Sequence, residues 1–123
     1  MNLVPIYNLL RSKVSGEAVY MYNMPENVTR GIEILHNLNG AMLDQEMWGY
    51  RKGKFQTIVR EKNFQSGYSL AKQVMDALKV SRVTQGSTYI HFITPLHDPV
   101  AFPKSAGDFI EFSINYETAY SES

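Results

Sequence analysis

The chain of 123 residues contains no cysteine. That absence excludes a disulfide framework, a thiolate nucleophile and any Cys-containing metal site, and it fits folding in a reducing compartment. Net charge is lacking too: twelve Lys and Arg balance twelve Asp and Glu. Tight nucleic-acid binders concentrate cations, because counterion release supplies much of their affinity, so DNA is disfavoured as a tight ligand. No apolar run approaches the roughly 18–20 residues that a membrane span needs. The N-terminal stretch has no basic leading segment and is interrupted by Pro5, Tyr7 and Asn8, so it does not read as a signal peptide. No GxGxxG or P-loop pattern occurs, which leaves nucleotide binding without support.

What remains is an ordinary globular composition, 44% hydrophobic and 20% charged. With no repeat, low-complexity tract or linker, residues 1–123 are expected to form a single domain. Leu3, Ile6, Tyr7, Leu10 and Val14 fall at helical spacing behind a capping Asn2, and Gly16 should end this short helix. Residues 18–22 and 31–38 carry strand character. Residues 39–53 follow neither period and predict a long loop, a feature that in small domains is often functional.

Residues 54–60 alternate, with Phe55, Thr57 and Val59 on one face. Asn63 then caps the principal helix, where Gly67, Leu70, Ala71, Val74, Met75 and Leu78 form one apolar stripe. Gly67 in that stripe predicts a close approach to strand backbone. Residues 88–94 form the next expected strand after a turn at 85–87, followed by a connection carrying Pro95, Pro99 and Pro103. The last strand has the clearest alternation: Ile110, Phe112, Ile114 and Tyr116 on one side, Glu111, Ser113, Asn115 and Glu117 on a wet side. The order α β β loop β α β β predicts an α+β fold, a two-layer sandwich with a mostly antiparallel sheet packed against one main helix plus the short N-terminal helix.

Catalytic chemistry finds little support. His36, His91 and His97 would be enough imidazoles for zinc, yet no HxH or HxxxH pair exists, so solvated or hydrogen-bonded histidines are expected and no metal or other cofactor. His97 beside Asp98 resembles an oriented base, but no nucleophile motif accompanies it, and a turn explains it better. Glu111 and Glu117 share a strand face about 20 Å apart, too far for joint acid–base work. The basic run at residues 51–54, next to Trp48 and Tyr50, reads as a solvated loop end more than a base-stacking site.

The suggestive group is Met42, Leu43, Met47, Trp48 and Tyr50, large apolar and aromatic side chains in the expected loop, of the types that anchor interfaces. Either they face a partner or the loop folds back over the core. Val100 and Phe102 raise the same question in the later connection.

The strand Phe55-Gln56 through Val59-Arg60, the helix Ala71-Lys72 to Ala77-Leu78, the N-terminal helix and the closing segment FIEFSINYETAY together resemble the tail terminator and minor capsid proteins of tailed phages. The resemblance implies a non-enzymatic virion protein of the tail and neck, assembled in the host cytoplasm: a homo-oligomer, a hexameric ring that caps the tail tube protein, ends its polymerisation and joins it to a neck or connector protein. DNA would pass through such a ring without tight binding, and no membrane is involved. A neck completion protein or a tube subunit of the same fold is the alternative within that class. Outside it stand a small cytoplasmic ligand-binding or catalytic domain using His91 and His97, and a nucleic-acid binder using Trp48, Tyr50, Arg51 and Lys52.

Overall fold

A computed structural model describes residues 2–36, 42–43, 50–102 and 109–122. In chain order its elements are α1 (Val4–Lys13), β1 (Val19–Met21), β2 (Gly31–His36), β3 (Met42–Leu43), β4 (Tyr50–Glu61), α2 (Phe64–Leu78), β5 (Val80–Gln85), β6 (Thr88–Pro95), β7 (Val100–Ala101) and β8 (Ile110–Glu122). The strands form one sheet in the order β1-β2-β4-β8-β6-β5, with β3 added to β4 and β7 to β8. Every pairing among the described residues is antiparallel except β1 with β2. Both helices lie on one face, giving the expected α+β sandwich.

The alternation read from the sequence decides which face that is. Phe55, Thr57 and Val59 of β4 and Phe112, Ile114 and Tyr116 of β8 are all fully buried. Direct register pairs bring Phe55 opposite Tyr116, Thr57 opposite Ile114 and Val59 opposite Phe112. Leu70, Ala71, Val74 and Leu78 of α2 close over them, and Leu3, Ile6, Leu9 and Leu10 from α1 and its approach complete the same core. At about 25 cal/mol per Å² of apolar burial, each of the larger aliphatic and aromatic side chains among them contributes roughly 1.5–3 kcal/mol.

Local chemistry sets the helix ends. Asn63 Oδ1 accepts the Ser66 N–H at 3.0 Å, the expected N-cap. At α1 the cap residue is Leu3, and Asn2 acts from one position further out, accepting the Val4 N–H at 3.0 Å. Gly16, at φ +88°, turns the chain away after α1.

Three sequence expectations need correction. Residues 50–53 belong to β4 and Met42–Leu43 to β3, where a loop was expected, because pairing with β8 and β4 overrides their weak strand pattern. Strand β5 was not expected at all. Its Val80 and Val83 both turn inward although they stand three residues apart, since Arg82 adopts φ +56° and breaks the alternation. Lastly, Gly67 approaches a side chain, with the Phe112 ring occupying the space that a Cβ would take and Glu61 Cβ 3.0 Å from it. Residues 37–38, at the end of an expected strand, lie outside the described residues.

An ionic clamp ties the N-terminal half to the start of α2. Arg30 binds Glu17 through both carboxylate oxygens at 3.0 Å and Glu61 Oε2 at 2.6 Å. Burial pulls the Glu61 carboxyl upward, but the Arg30 hydrogen bond and the N–H groups of Lys62 and Asn63 together hold it below its ordinary value.

Two outcomes follow. Gly67→Ala gains about 1 kcal/mol of helix propensity yet should destabilise the protein by roughly 1–3 kcal/mol through overpacking; urea unfolding checks it, and a Phe112→Leu background should remove most of the loss. Because the folded pKa of Glu61 lies below its unfolded value, its contribution is present above the unfolded pKa and disappears as pH falls through the folded one. Unfolding free energies from urea titration should therefore drop on acidification through that window by less in Glu61→Gln than in the parent, a difference of about 0.5–1 kcal/mol for a partly exposed pair.

Candidate assembly surface

The face of the sheet away from the helices carries polar groups along β4 and β8, with apolar and aromatic side chains beside them towards each end. In the middle, Gln56 Nε2 donates to Ser113 Oγ, and Lys54 stands opposite Glu117. Arg60 Nε lies 3.2 Å from Glu111 Oε2 and also donates from Nη1 to the Pro25 carbonyl at 2.8 Å. This face is not uniformly wet, since Ser113 and Ala119 are buried.

At one end, register places Tyr50 and Tyr89 on either side of Ser121. The His91 ring lies between them, with centroids 5.0 Å from Tyr50 and 4.8 Å from Tyr89. His91 Nε2 is 2.8 Å from Ser121 Oγ. A bulge in the β6 to β8 register between Ile90 and Phe92 makes His91 the extra residue. The bulge also changes which side chains face inward, from Thr88 and Ile90 before it to Ile93 after it.

At the other end, Val100 pairs with Ser113, and the Phe102 N–H donates to the Glu111 carbonyl at 2.8 Å, so both occupy this same face. Val100 is 49% exposed and Phe102 46%. Between β6 and β7 the backbone ladder along β8 is interrupted, and His97 fills the gap. Its Nε2 accepts the Asn115 N–H at 3.2 Å, while Nδ1 donates to the Asp98 carbonyl at 2.7 Å. The imidazole thus does the work of a missing backbone carbonyl, and the Asp98 carboxylate points elsewhere, 3.6 Å from Lys72 Nζ.

Among the sequence-predicted residues, Tyr50 therefore sits at one end of the face and Val100 and Phe102 at the other, with Tyr50 and Val100 eight positions apart along β8, or roughly 26 Å. Met42 and Leu43 lie in β3, opposite Lys52 and Arg51. Met47 and Trp48 fall outside the described residues. The three histidines are dispersed: His36 lies at the end of β2 beside Tyr22, with ring centroids 5.2 Å apart, far in the strand order from His91 on β6.

Sequence reasoning missed a second exposed apolar group on the helix layer. Phe64 and Tyr68 stack with centroids 6.1 Å apart and lean on the edge of Phe112, while Phe64 remains 52% exposed. Their i, i+4 spacing outside the buried stripe was the available signal. Leu96, 46% exposed, was missed as well.

His97→Ala should leave the Asn115 amide without its partner and cost about 1–2 kcal/mol. Amide exchange should accelerate at Asn115 and Phe102 while the β4 amides stay protected; unchanged exchange at both would contradict the bridging role.

The profile of the family described as bacteriophage tail terminator protein matches residues 7–122. Nothing among curated proteins matches. A chain solved in the virion of a native gene transfer agent particle superposes with a TM-score of 0.67 at 12% identity, over 91% of this chain and 84% of that one. A second solved chain gives a TM-score of 0.51 at 11% identity, over 98% and 89%. At such identities these two likenesses establish the fold. With nearly its whole length matched by the family profile, this chain belongs to the bacteriophage tail terminator family, whose members are structural proteins of the virion tail.

Proposed function

We propose that this protein is a single-domain, non-enzymatic subunit of a ring that caps the phage tail tube, ends its polymerisation and joins it to the neck. The ring is a hexamer assembled in the host cytoplasm. One observation beyond the family carries the reading: exposed apolar side chains occupy both layers of the molecule, at the ends of the open sheet face and on the first turn of α2. A closed ring built head to tail requires two unlike surfaces on each subunit, and a layered fold with apolar groups on both sides supplies them.

Termination then needs no bond chemistry. A stacked tube always presents a competent surface at its growing end, and a subunit that matches this surface on one side only stops further addition. Six modest contacts reinforce one another once the ring closes, because effective concentration replaces bulk concentration. The partner-facing residues assigned to this role are Met42, Leu43, Met47, Trp48, Tyr50, Val100 and Phe102. The partners are further copies of the chain, the tube protein and a connector, with DNA passing through a channel that holds it only weakly, consistent with zero net charge.

Electron microscopy of the purified protein should show single rings or ring pairs, and substoichiometric addition to the tube subunit should shorten the tubes. Long filaments of the protein alone would instead identify a tube subunit. Val100→Asp with Phe102→Asp should weaken assembly at least tenfold while shifting the melting temperature of the monomer by no more than about 2 °C, as expected for exposed positions.

A further inference from the structure

Where α1 meets the sheet, a few polar groups are set among apolar ones. Tyr120 is 4% exposed, and its hydroxyl is buried without a hydrogen-bond partner among the described residues. A buried hydroxyl left unpaired costs about as much as a lost hydrogen bond. The ring borders a nook where Pro5, Ile6 and Ile90 meet Asn2, Thr88 and Thr118, with about 10 Å³ of room for a water-sized sphere. That room suits one water molecule.

The neighbouring groups have the complementary capacity. Thr118 Oγ1 spends its proton on the Phe92 carbonyl at 2.8 Å, which leaves its oxygen lone pairs as acceptors. Asn2 uses its amide oxygen on the Val4 N–H, which leaves its NH₂ group as a donor. Burial, reinforced by the charge of Glu122 and opposed by Arg51, pushes the Tyr120 hydroxyl above its ordinary pKa, so it remains a protonated donor.

We propose that this nook is an internal hydration site, in which one ordered water accepts the Tyr120 hydroxyl proton and donates to Thr118 Oγ1. The water joins the end of β8 to the start of α1 and makes the helix docking partly wet. It is independent of the assembly reading, since it concerns how each subunit holds its own N-terminal helix.

Substitution gives opposite signs for the two possibilities. If the water is present, Tyr120→Phe removes a satisfied hydrogen bond and strands the water, lowering the melting temperature by about 2–6 °C. If the hydroxyl is an orphan, the same change relieves a desolvation cost and leaves the melting temperature unchanged or higher, which overturns the proposal. Water-to-protein cross-relaxation in NMR of the full chain provides the second readout. Cross-peaks from a long-lived water to the Tyr120 ring and the Thr118 methyl are expected and should vanish in Tyr120→Phe; their absence in the parent overturns the site.

Discussion

The pairing of β4 with β8 is the constraint on which the rest of this structure depends. Twelve consecutive register pairs run without a break from Tyr50 opposite Ser121 to Glu61 opposite Ile110. At its centre Phe55 and Tyr116 stack face to face, 4.7 Å apart with 8° between their planes, and the Tyr116 hydroxyl lies 3.1 Å from Thr57 Oγ1. Because side chains alternate along both strands, a slip of one residue would bring Glu111, Ser113 and Asn115 under α2 and eject Phe112, Ile114 and Tyr116. The register therefore fixes the helix layer and the open face together. Strands β2 and β6 extend a sheet whose two sides are already determined.

That central ladder is regular, and the irregularities are displaced to its outer edge. Along the far side of β8 the chain pairs twice, first as β6 and then as β7, with a bulge at His91 and a gap bridged by His97. Each device has a definite consequence. The bulge lets Ile90 and Ile93 both reach the core, and the imidazole bridge permits the proline-rich connection to leave the sheet and return. What returns is a two-residue strand carrying Val100 outward, with Phe102 following at the next position on the same face. The exposure of these residues thus originates in a strand interruption that His97 makes tolerable.

The same division explains what could be read from sequence. From Lys54 onward β4 keeps a single period, as do α2 and the first half of β8, so the inward faces of these stretches are visible in the order of the residues alone. Strand β5 is invisible for a physical reason: with Arg82 at φ +56°, Val80 and Val83 face inward three residues apart, a spacing that breaks strand alternation and suits a helix instead. Gly67 was legible as a close approach, yet its partner Phe112 lies 45 positions away and only the folded register brings them together. For the candidate surface, residue type pointed to Tyr50, Val100 and Phe102, but not to their separation at opposite ends of one face. Phe64 and Tyr68 escaped notice because the helical stripe accounts for the buried residues and says nothing about those beside it.

An assembling subunit must also avoid the wrong assembly, and the edges of this sheet bear on that problem. An open edge of hydrogen-bonding groups invites unlimited strand addition, which would compete with closure of a ring. Here one edge is β1, three residues long, and the other is β5, kinked by its positive φ at Arg82. Neither offers the straight, extended template that strand addition requires. Association is thereby left to side-chain surfaces, whose shape and chemistry can differ between the two layers, and a difference between surfaces is what separates a closing contact from an indefinitely growing one.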